Sequence, residues 1–262
     1  MAITIRDIAR YKADGKRFVM LTAYDFPTAK ILDESGIPVL LVGDSLAQVI
    51  LGYDTTLPVT MDEMLHHARA VARGAKEALI VGDMPFASYQ ISVEDGIRNA
   101  TRYLKEGNVH AVKLEGAQTE LTAALVDMGV PVMAHLGLTP QSVHAMGGYR
   151  VQAKSEETAS RLLSDAENLQ KAGAFSLVLE GIPTDVAQRV TSTLDIPTIG
   201  IGAGPHCDAQ VLVITDLLGM GSGKYPKFVK PYANLRETIV DAVGRFRTEV
   251  ESGTFPDDEH SY

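Results

Sequence analysis

A closed (β/α)8 barrel is the fold this sequence predicts, on three observations. One pattern repeats along the chain: a helical stretch ending at or near glycine, a short apolar run, then a polar residue. The runs are continuously apolar rather than alternating, the mark of parallel strands buried on both faces. Eight such units within 262 residues match the usual size of a closed barrel. A doubly wound open sheet is the main alternative, but it would carry G-x-G-x-x-G after an early strand. The early turn here, AYDFPTAK at 23–30, has no glycine.

The elements follow in order. TIRDIARYKA at 4–13 predicts a short helix before the first strand, a plug for the barrel floor, and FVMLTAY at 18–24 predicts that strand. ILDESGIPVLLVGD, RGAKEALIVGD and YLKEGNVHAVKLEG predict strands near 38, 79 and 109. LVDMGVPVMAHLG, LQKAGAFSLVLEG and TLDIPTIGIGAG predict strands near 131, 176 and 196, and VLVITD at 211–216 the last. Gly36, Gly129 and Gly173 stand where a helix end takes a left-handed residue. Pro38, Pro131 and Pro197 open strands, where a missing N–H costs least. Thr60–Glu63 and Ser92–Asp95 have capping-box spacing. Residues 234–251 set Ile239, Val243, Phe246 and Val250 on one stripe of a charged C-terminal helix. No linker or low-complexity tract interrupts the chain, so one barrel domain over 1–262 is expected.

Composition narrows the function. The chain is 45% hydrophobic and 22% charged, ordinary for a soluble globular protein. A net charge of -9 argues against a general nucleic-acid binder, which would show a basic patch or stripe. Cys207 is the sole cysteine, which excludes an internal disulfide and suits a reducing cytoplasm. MAITIRDIARYKADGKR lacks the apolar core of a signal peptide. No run approaches the roughly 18–20 apolar residues of a membrane span. A cytoplasmic protein with neither membrane nor nucleic-acid partners is expected.

The polar strand ends carry the functional reading. LLVGDS at 40–45, LIVGD at 79–83, VKLEG at 112–116 and LVLEG at 177–181 all close an apolar run on an acidic residue. In such a barrel every strand points the same way, so the C-terminal ends surround one mouth. Asp44, Ser45, Asp83, Lys113, Glu115, His135, Glu180 and Asp216 would gather there. Taken singly, several have blander readings. An aspartate after a strand often caps the next helix; capping is as good a reading as a site for Asp44, and the better one for Asp216. Ser45 also suits a cap, and a lone His135 suits a satisfied interior histidine.

Lys113 is harder to dismiss. AVKLEG sets Lys113 and Glu115 on one face of the strand. An inward lysine needs carboxylates to compensate it. Asp44, Asp83 and Glu115 are hard oxygen ligands of the kind magnesium takes alongside water and substrate. Zinc is not signalled: His66 and His67 are adjacent and would face different sides of a helix, and Cys207 is alone. GIGAG at 200–204 reads equally as a phosphate cradle or a tight turn. Long loops at 44–60 and 137–155 follow strands two and five. Gly147–Gly148 in the second suits a lid hinge, with a wrapping loop as the alternative.

Longer motifs then point to a family. VGDSLA and GYDTTLPVT within 42–60, KLEG at 113–116, HLGLTPQS at 135–142, GGYRVQ at 147–152, LVLEGIP at 177–183, IGIGAG at 199–204 and the closing EHSY resemble the ketopantoate hydroxymethyltransferase family. The likeness runs from LTAYD at 21–25 to the last residues. Ala47 and Ala134 depart from it, each a small residue where glycine is common.

The resemblance implies a (β/α)8 barrel binding one Mg2+ per subunit, decameric, and acting in pantothenate biosynthesis on the way to coenzyme A. It implies transfer of a one-carbon unit from 5,10-methylenetetrahydrofolate to 3-methyl-2-oxobutanoate, giving ketopantoate and tetrahydrofolate. By motif, Asp44, Asp83 and Glu115 correspond to the metal site, and Asp44, Ser45, Asp83 and Lys113 to the ketoacid site. Glu180 corresponds to the base that forms a metal-polarised enolate, which attacks the folate methylene. His135 at the mouth is read as binding substrate or relaying a proton. Two rivals remain: a metal-dependent lyase or mutase on another 2-oxo acid, which would more often show a K-K-C-G-H loop absent here, and a catalytically silent barrel scaffold.

Overall fold

The computed structural model describes residues 2–221 and 223–262. By its contacts the chain divides into a unit ending at Leu212 and a second from Val213 to Tyr262. The first unit is a closed barrel of parallel strands: β1 (Phe18–Thr22), β2 (Val39–Val42), β3 (Leu79–Asp83), β4 (Ala111–Glu115), β5 (Val132–Gly137), β6 (Ser176–Glu180), β7 (Thr198–Ile201) and β8 (Ala209–Leu212). Each strand pairs with the next, and β8 closes on β1 through Phe18↔Ala209 to Leu21↔Leu212.

The local signals act as expected at most junctions. Gly36, Gly129 and Gly173 take φ of +75°, +85° and +97° where their helices end, a region that costs an L side chain energy. Thr60 forms a full capping box with Glu63 at the start of helix Met61–Gly74. Ser92 forms only half of one: it accepts from the Asp95 N–H at 3.1 Å, while the Asp95 carboxylate takes the Ser92 hydroxyl at 3.0 Å instead of the backbone.

Several strand boundaries differ from the sequence reading by about two residues, among them β7, which begins at Thr198 rather than near 196, and two of the differences have a visible cause. The helix before β4 ends in a π-helical turn, Tyr103–Gly107, stopped by Asn108 at φ +54°, so the chain enters the sheet at Ala111 rather than near 109. The last strand spans Ala209–Leu212, not 211–216, because its pairing with β1 runs out at Leu212. The following residues form a short helix, Ile214–Leu217, which holds Asp216. Asp216 is therefore not a strand-end residue.

Side chains alternate between the two faces of each strand. Inward-facing Met20, Val39, Leu41, Leu79, Val81, Ala111, Met133, Val178, Ile199 and Val211 fill the lower barrel. Ile8 joins this cluster from helix Ile5–Ala13 and is fully buried. The N-terminal helix thus plugs the floor, and burying Ile8 is worth about 2–3 kcal/mol. Outward-facing Ala134, Leu136, Leu177 and Leu179 pack against Leu162, Ala166 and Leu169 of helix Glu156–Lys171 and Val186, Ala187 and Val190 of helix Thr184–Thr193. That double burial explains the unbroken apolar runs.

In the second unit, helix Leu235–Ser252 starts at an Asn234 cap and stops at Gly253, φ +72°. None of its residues is buried, and Ile239, Val243, Phe246 and Val250 stand 44–60% exposed. No helix among the described residues is long and apolar enough to cross a membrane.

Candidate active site

The alternation that fills the lower barrel with hydrocarbon changes character at the top. On β3 the inward sequence is Leu79, Val81, Asp83; on β4 it is Ala111, Lys113, Glu115; on β5 and β6, Met133 and Val178 give way to His135 and Glu180. Asp44 follows β2 directly. Asp44, Asp83, Lys113, Glu115 and His135 are each no more than 5% exposed. These five and Glu180 therefore come together, while Asp216 belongs to the short helix after β8, in the second unit.

Register decides the pairings. Asp83 lies opposite Lys113 in the β3–β4 ladder, and the Lys113 ammonium reaches Asp83 Oδ1 at 2.6 Å. Glu115 lies opposite His135 in the β4–β5 ladder, and its Oε1 is 3.7 Å from His135 Nδ1 and 4.0 Å from Lys113 Nζ. His135 Nε2 is 3.3 Å from Glu180 Oε2, although neither ring nitrogen makes a well-aligned hydrogen bond. The Asp44 N–H donates to Asp83 Oδ2 at 3.2 Å, linking β2 to β3. Ser45 shares a 2.8 Å hydrogen bond with the Tyr24 hydroxyl, bringing in the end of β1.

Sequence reasoning follows charge, and it passes over two neutral residues at the centre of this network. Gln141 lies in a single 3-10 turn, Pro140–Ser142, just after β5. Its amide donates to Asp44 Oδ2 at 3.0 Å and to the Met84 carbonyl at 2.9 Å, and its backbone N–H donates to Glu115 Oε2 at 3.0 Å. Tyr89 donates to Gln141 Oε1 at 2.8 Å and accepts from the Glu115 N–H at 3.0 Å. Both residues are at least 95% buried. HLGLTPQS contains Gln141, but nothing in its spacing marks a glutamine as a site residue.

Burial sets the ionisation of the cluster. It raises the Asp44 carboxyl, the Asp83 charge beside it adds to the rise, and Lys113 and Gln141 oppose it. It likewise pushes Glu115 well up, with Asp44 next in effect. For Lys113, burial favours the neutral amine, but Asp83, Glu115 and Asp44 together outweigh it and keep the ammonium. Burial and then Lys113 hold His135 well below the usual imidazole range, so it is neutral. Glu180 is raised from 4.5 to about 7, chiefly by burial, against the pull of Lys113.

Two other sequence signals resolve. The GIGAG glycines meet packing demands: a Cβ on Gly200 would lie 3.0 Å from Cys207 Sγ, and one on Gly204 would collide with the Thr184 side chain. The tight-turn reading therefore accounts for them. In the 137–155 loop, Gly147 and Gly148 take φ of +65° and +109°. This loop is tied at Gln141 and again where the Gln152 N–H donates to the Gly181 carbonyl at 2.8 Å.

Among the described residues, no three His, Cys, Asp or Glu side chains are grouped so as to hold a metal by themselves. Glu115, the third expected ligand, has Oε2 on the Gln141 N–H and Oε1 facing Lys113 and His135. Asp44 and Asp83 nevertheless adjoin, and the Asp44 carboxyl is raised first by burial and then by the neighbouring Asp83 charge. Hard oxygen donors in mutual repulsion fit a hard dication that takes few protein ligands and completes its shell with water and substrate oxygens.

The chain matches the model of the family described as ketopantoate hydroxymethyltransferase over residues 2–258. It is 56% identical to a Geobacter sulfurreducens protein named 3-methyl-2-oxobutanoate hydroxymethyltransferase, with 100% of this chain and 98% of that one covered. A protein of the same name from Frankia alni is also 56% identical, covering 99% of this chain and 86% of the relative. Among solved structures, phosphonopyruvate hydrolase in complex with oxalate and Mg++ superposes with a TM-score of 0.62 at 12% identity, covering 98% and 93% of the two chains. At that identity the likeness concerns the fold.

Proposed function

The chain belongs to the ketopantoate hydroxymethyltransferase family and is a transferase, and from that premise we propose that it moves a hydroxymethyl group from 5,10-methylenetetrahydrofolate to 3-methyl-2-oxobutanoate. The products are ketopantoate and tetrahydrofolate. Carrying this reading is the contrast among the buried acids: Asp44 and Asp83 adjoin each other and Lys113, while Glu180, raised to about 7, lies beyond a neutral His135.

Asp44 and Asp83 would hold Mg2+, with Glu115 as the third carboxylate of the cluster. When bound, the metal supplies Lewis acidity to the keto group. Lys113, fixed on Asp83, balances the charge that the acid's carboxylate adds to an already acidic mouth. The Ser45 hydroxyl, steadied by Tyr24, is disposed to donate to the acid. Glu180 takes the C3 proton. A carboxylate near neutrality suits that role, because it is partly ionised at working pH yet basic enough to accept. Neutral His135 offers Glu180 a polar neighbour without the positive charge that would weaken it as a base. The resulting C3 carbanion forms a C–C bond to the donated methylene carbon as that carbon's bond to folate N10 gives way. Water then replaces its bond to N5 and becomes the hydroxyl. The proton taken by Glu180 and the one released by water pass to the two nitrogens, and tetrahydrofolate departs.

The test is steady-state formation of ketopantoate, with Mg2+ and the folate omitted in turn. Turnover only with all components present is the expected result, and undiminished turnover without the folate would overturn the donor assignment. The proposal extends to a cytoplasmic homo-oligomer, decameric in line with the family resemblance.

A further inference from the structure

The geometry points to Gln141 as the positioning residue of the carboxylate cluster: it fixes the orientation of Asp44 and Glu115 for the dication and so sets the affinity of the metal site. This role rests on the metal site proposed for Asp44 and Asp83. A side-chain amide has two N–H donors and two acceptor lone pairs. Gln141 uses all four: Nε2 donates to Asp44 Oδ2 and the Met84 carbonyl, and Oε1 accepts from the Tyr89 hydroxyl and from Gln90 Nε2, each of the latter at 2.8 Å. The amide cannot flip without setting two donors against two donors and two acceptors against two acceptors.

The backbone of the same residue holds the second carboxylate, through its N–H to Glu115 Oε2. One residue thus engages one oxygen of each of two acids that repel each other, from β2 and β4 respectively. A neutral amide suits this place because a cation would compete with the metal and a carboxylate would add to the repulsion. Tyr89 completes the brace by accepting from the Glu115 N–H while donating to Gln141. The segment that carries Gln141 opens the long loop after β5, so the placement of that loop and the orientation of the acids are mechanically joined.

Groups that orient metal ligands typically change metal affinity by 10- to 100-fold when removed. The experiment titrates the protein with Mn2+ and reads the free and bound ion by electron paramagnetic resonance, with thermal unfolding recorded in parallel. Gln141→Leu should weaken Mn2+ binding by about 10- to 100-fold while the protein stays folded at the assay temperature. Tyr89→Phe should weaken it in the same direction by less, since Gln90 still holds Oε1. The double variant should lose no more than Gln141→Leu alone, because the two side chains act as one brace.

Asp44→Asn separates the two readings. If Asp44→Asn and the parent bind Mn2+ equally, the metal site itself is wrong and this assignment goes with it. If Asp44→Asn abolishes binding but Gln141→Leu keeps parental affinity, the metal site stands and the role of Gln141 is overturned. Should Gln141→Leu not fold, Tyr89→Phe decides: parental affinity there refutes the brace.

Discussion

Glu180→Gln tests the base and the electrostatics of the site in one variant. Glu180 is raised from 4.5 to about 7 because burial disfavours its charge. A rise of about 2.5 units corresponds to about 3 kcal/mol at 1.36 kcal/mol per unit. Folding keeps the proton on, while the unfolded chain releases it near 4.5. Stability contributed by Glu180 is therefore intact below pH 4.5, falls as pH rises through that window, and is fully lost above about 7. Glutamine cannot ionise and escapes the loss. Its side-chain position is only 16% exposed, so solvent screening trims the figure modestly. Urea denaturation without metal should show Glu180→Gln gaining on the parent by about 2–3 kcal/mol between pH 5 and pH 8, on top of any constant offset from altered contacts. Proton NMR of 3-methyl-2-oxobutanoate in D2O reads the chemistry: parental C3 exchange should rise with pH toward a plateau above about 7. The variant should lose at least about 100-fold in exchange rate while still binding the ketoacid. A stability difference that does not vary with pH would refute the electrostatic account, and parental exchange in the variant would refute the base.

Other outcomes follow from the same geometry. Lys113→Met removes a cation only 4% exposed from between Asp83 and Glu115, and should cost about 3–5 kcal/mol near pH 8 and less in acid, by denaturant titration; a pH-independent cost would show that lost packing dominates. Gly82→Ala would bring a Cβ to 2.8 Å from the Tyr103 ring, whose hydroxyl donates to the Asp83 carbonyl at 2.6 Å. It should cost about 1–3 kcal/mol by thermal unfolding and raise the ketoacid KM, and an unchanged KM would mean Asp83 tolerates the shift. Phe246→Glu interrupts the exposed apolar stripe of helix Leu235–Ser252 and should lower the mass seen by light scattering. An unchanged mass would refute a part for this stripe in the proposed homo-oligomer.

Local chemistry made most of the barrel legible in the sequence. Burial on both faces forces continuous apolar strands, left-handed helix ends call for glycine, and capping boxes need a fixed spacing; each leaves a trace in a short window of residues. Asp44, Asp83, Lys113, Glu115, His135 and Glu180 were legible for a related reason. A charged residue ending an apolar run has no cheap place inside a core, and a closed parallel barrel has one mouth to receive them all. A fifth acid after an apolar run, Asp216, already read better as a helix cap from sequence. Only the pairing of β8 with β1 showed that the strand stops at Leu212 and leaves Asp216 in a helix.

What the tertiary structure alone decided is which of these groups meet. Ladder register, which no single strand encodes, set Lys113 on Asp83 and Glu115 beside His135. The chain between β3 and β4 and the turn after β5 met in space to build Tyr89 and Gln141 into the centre of the cluster. Neither residue carries charge or periodicity, so their part in the site exists only as hydrogen bonds between segments 52 positions apart. The sequence by itself determined that the mouth would be acidic, because charge must be placed locally. How those acids are held, and which oxygens they present, depended on long-range pairing that only the closed barrel brings about.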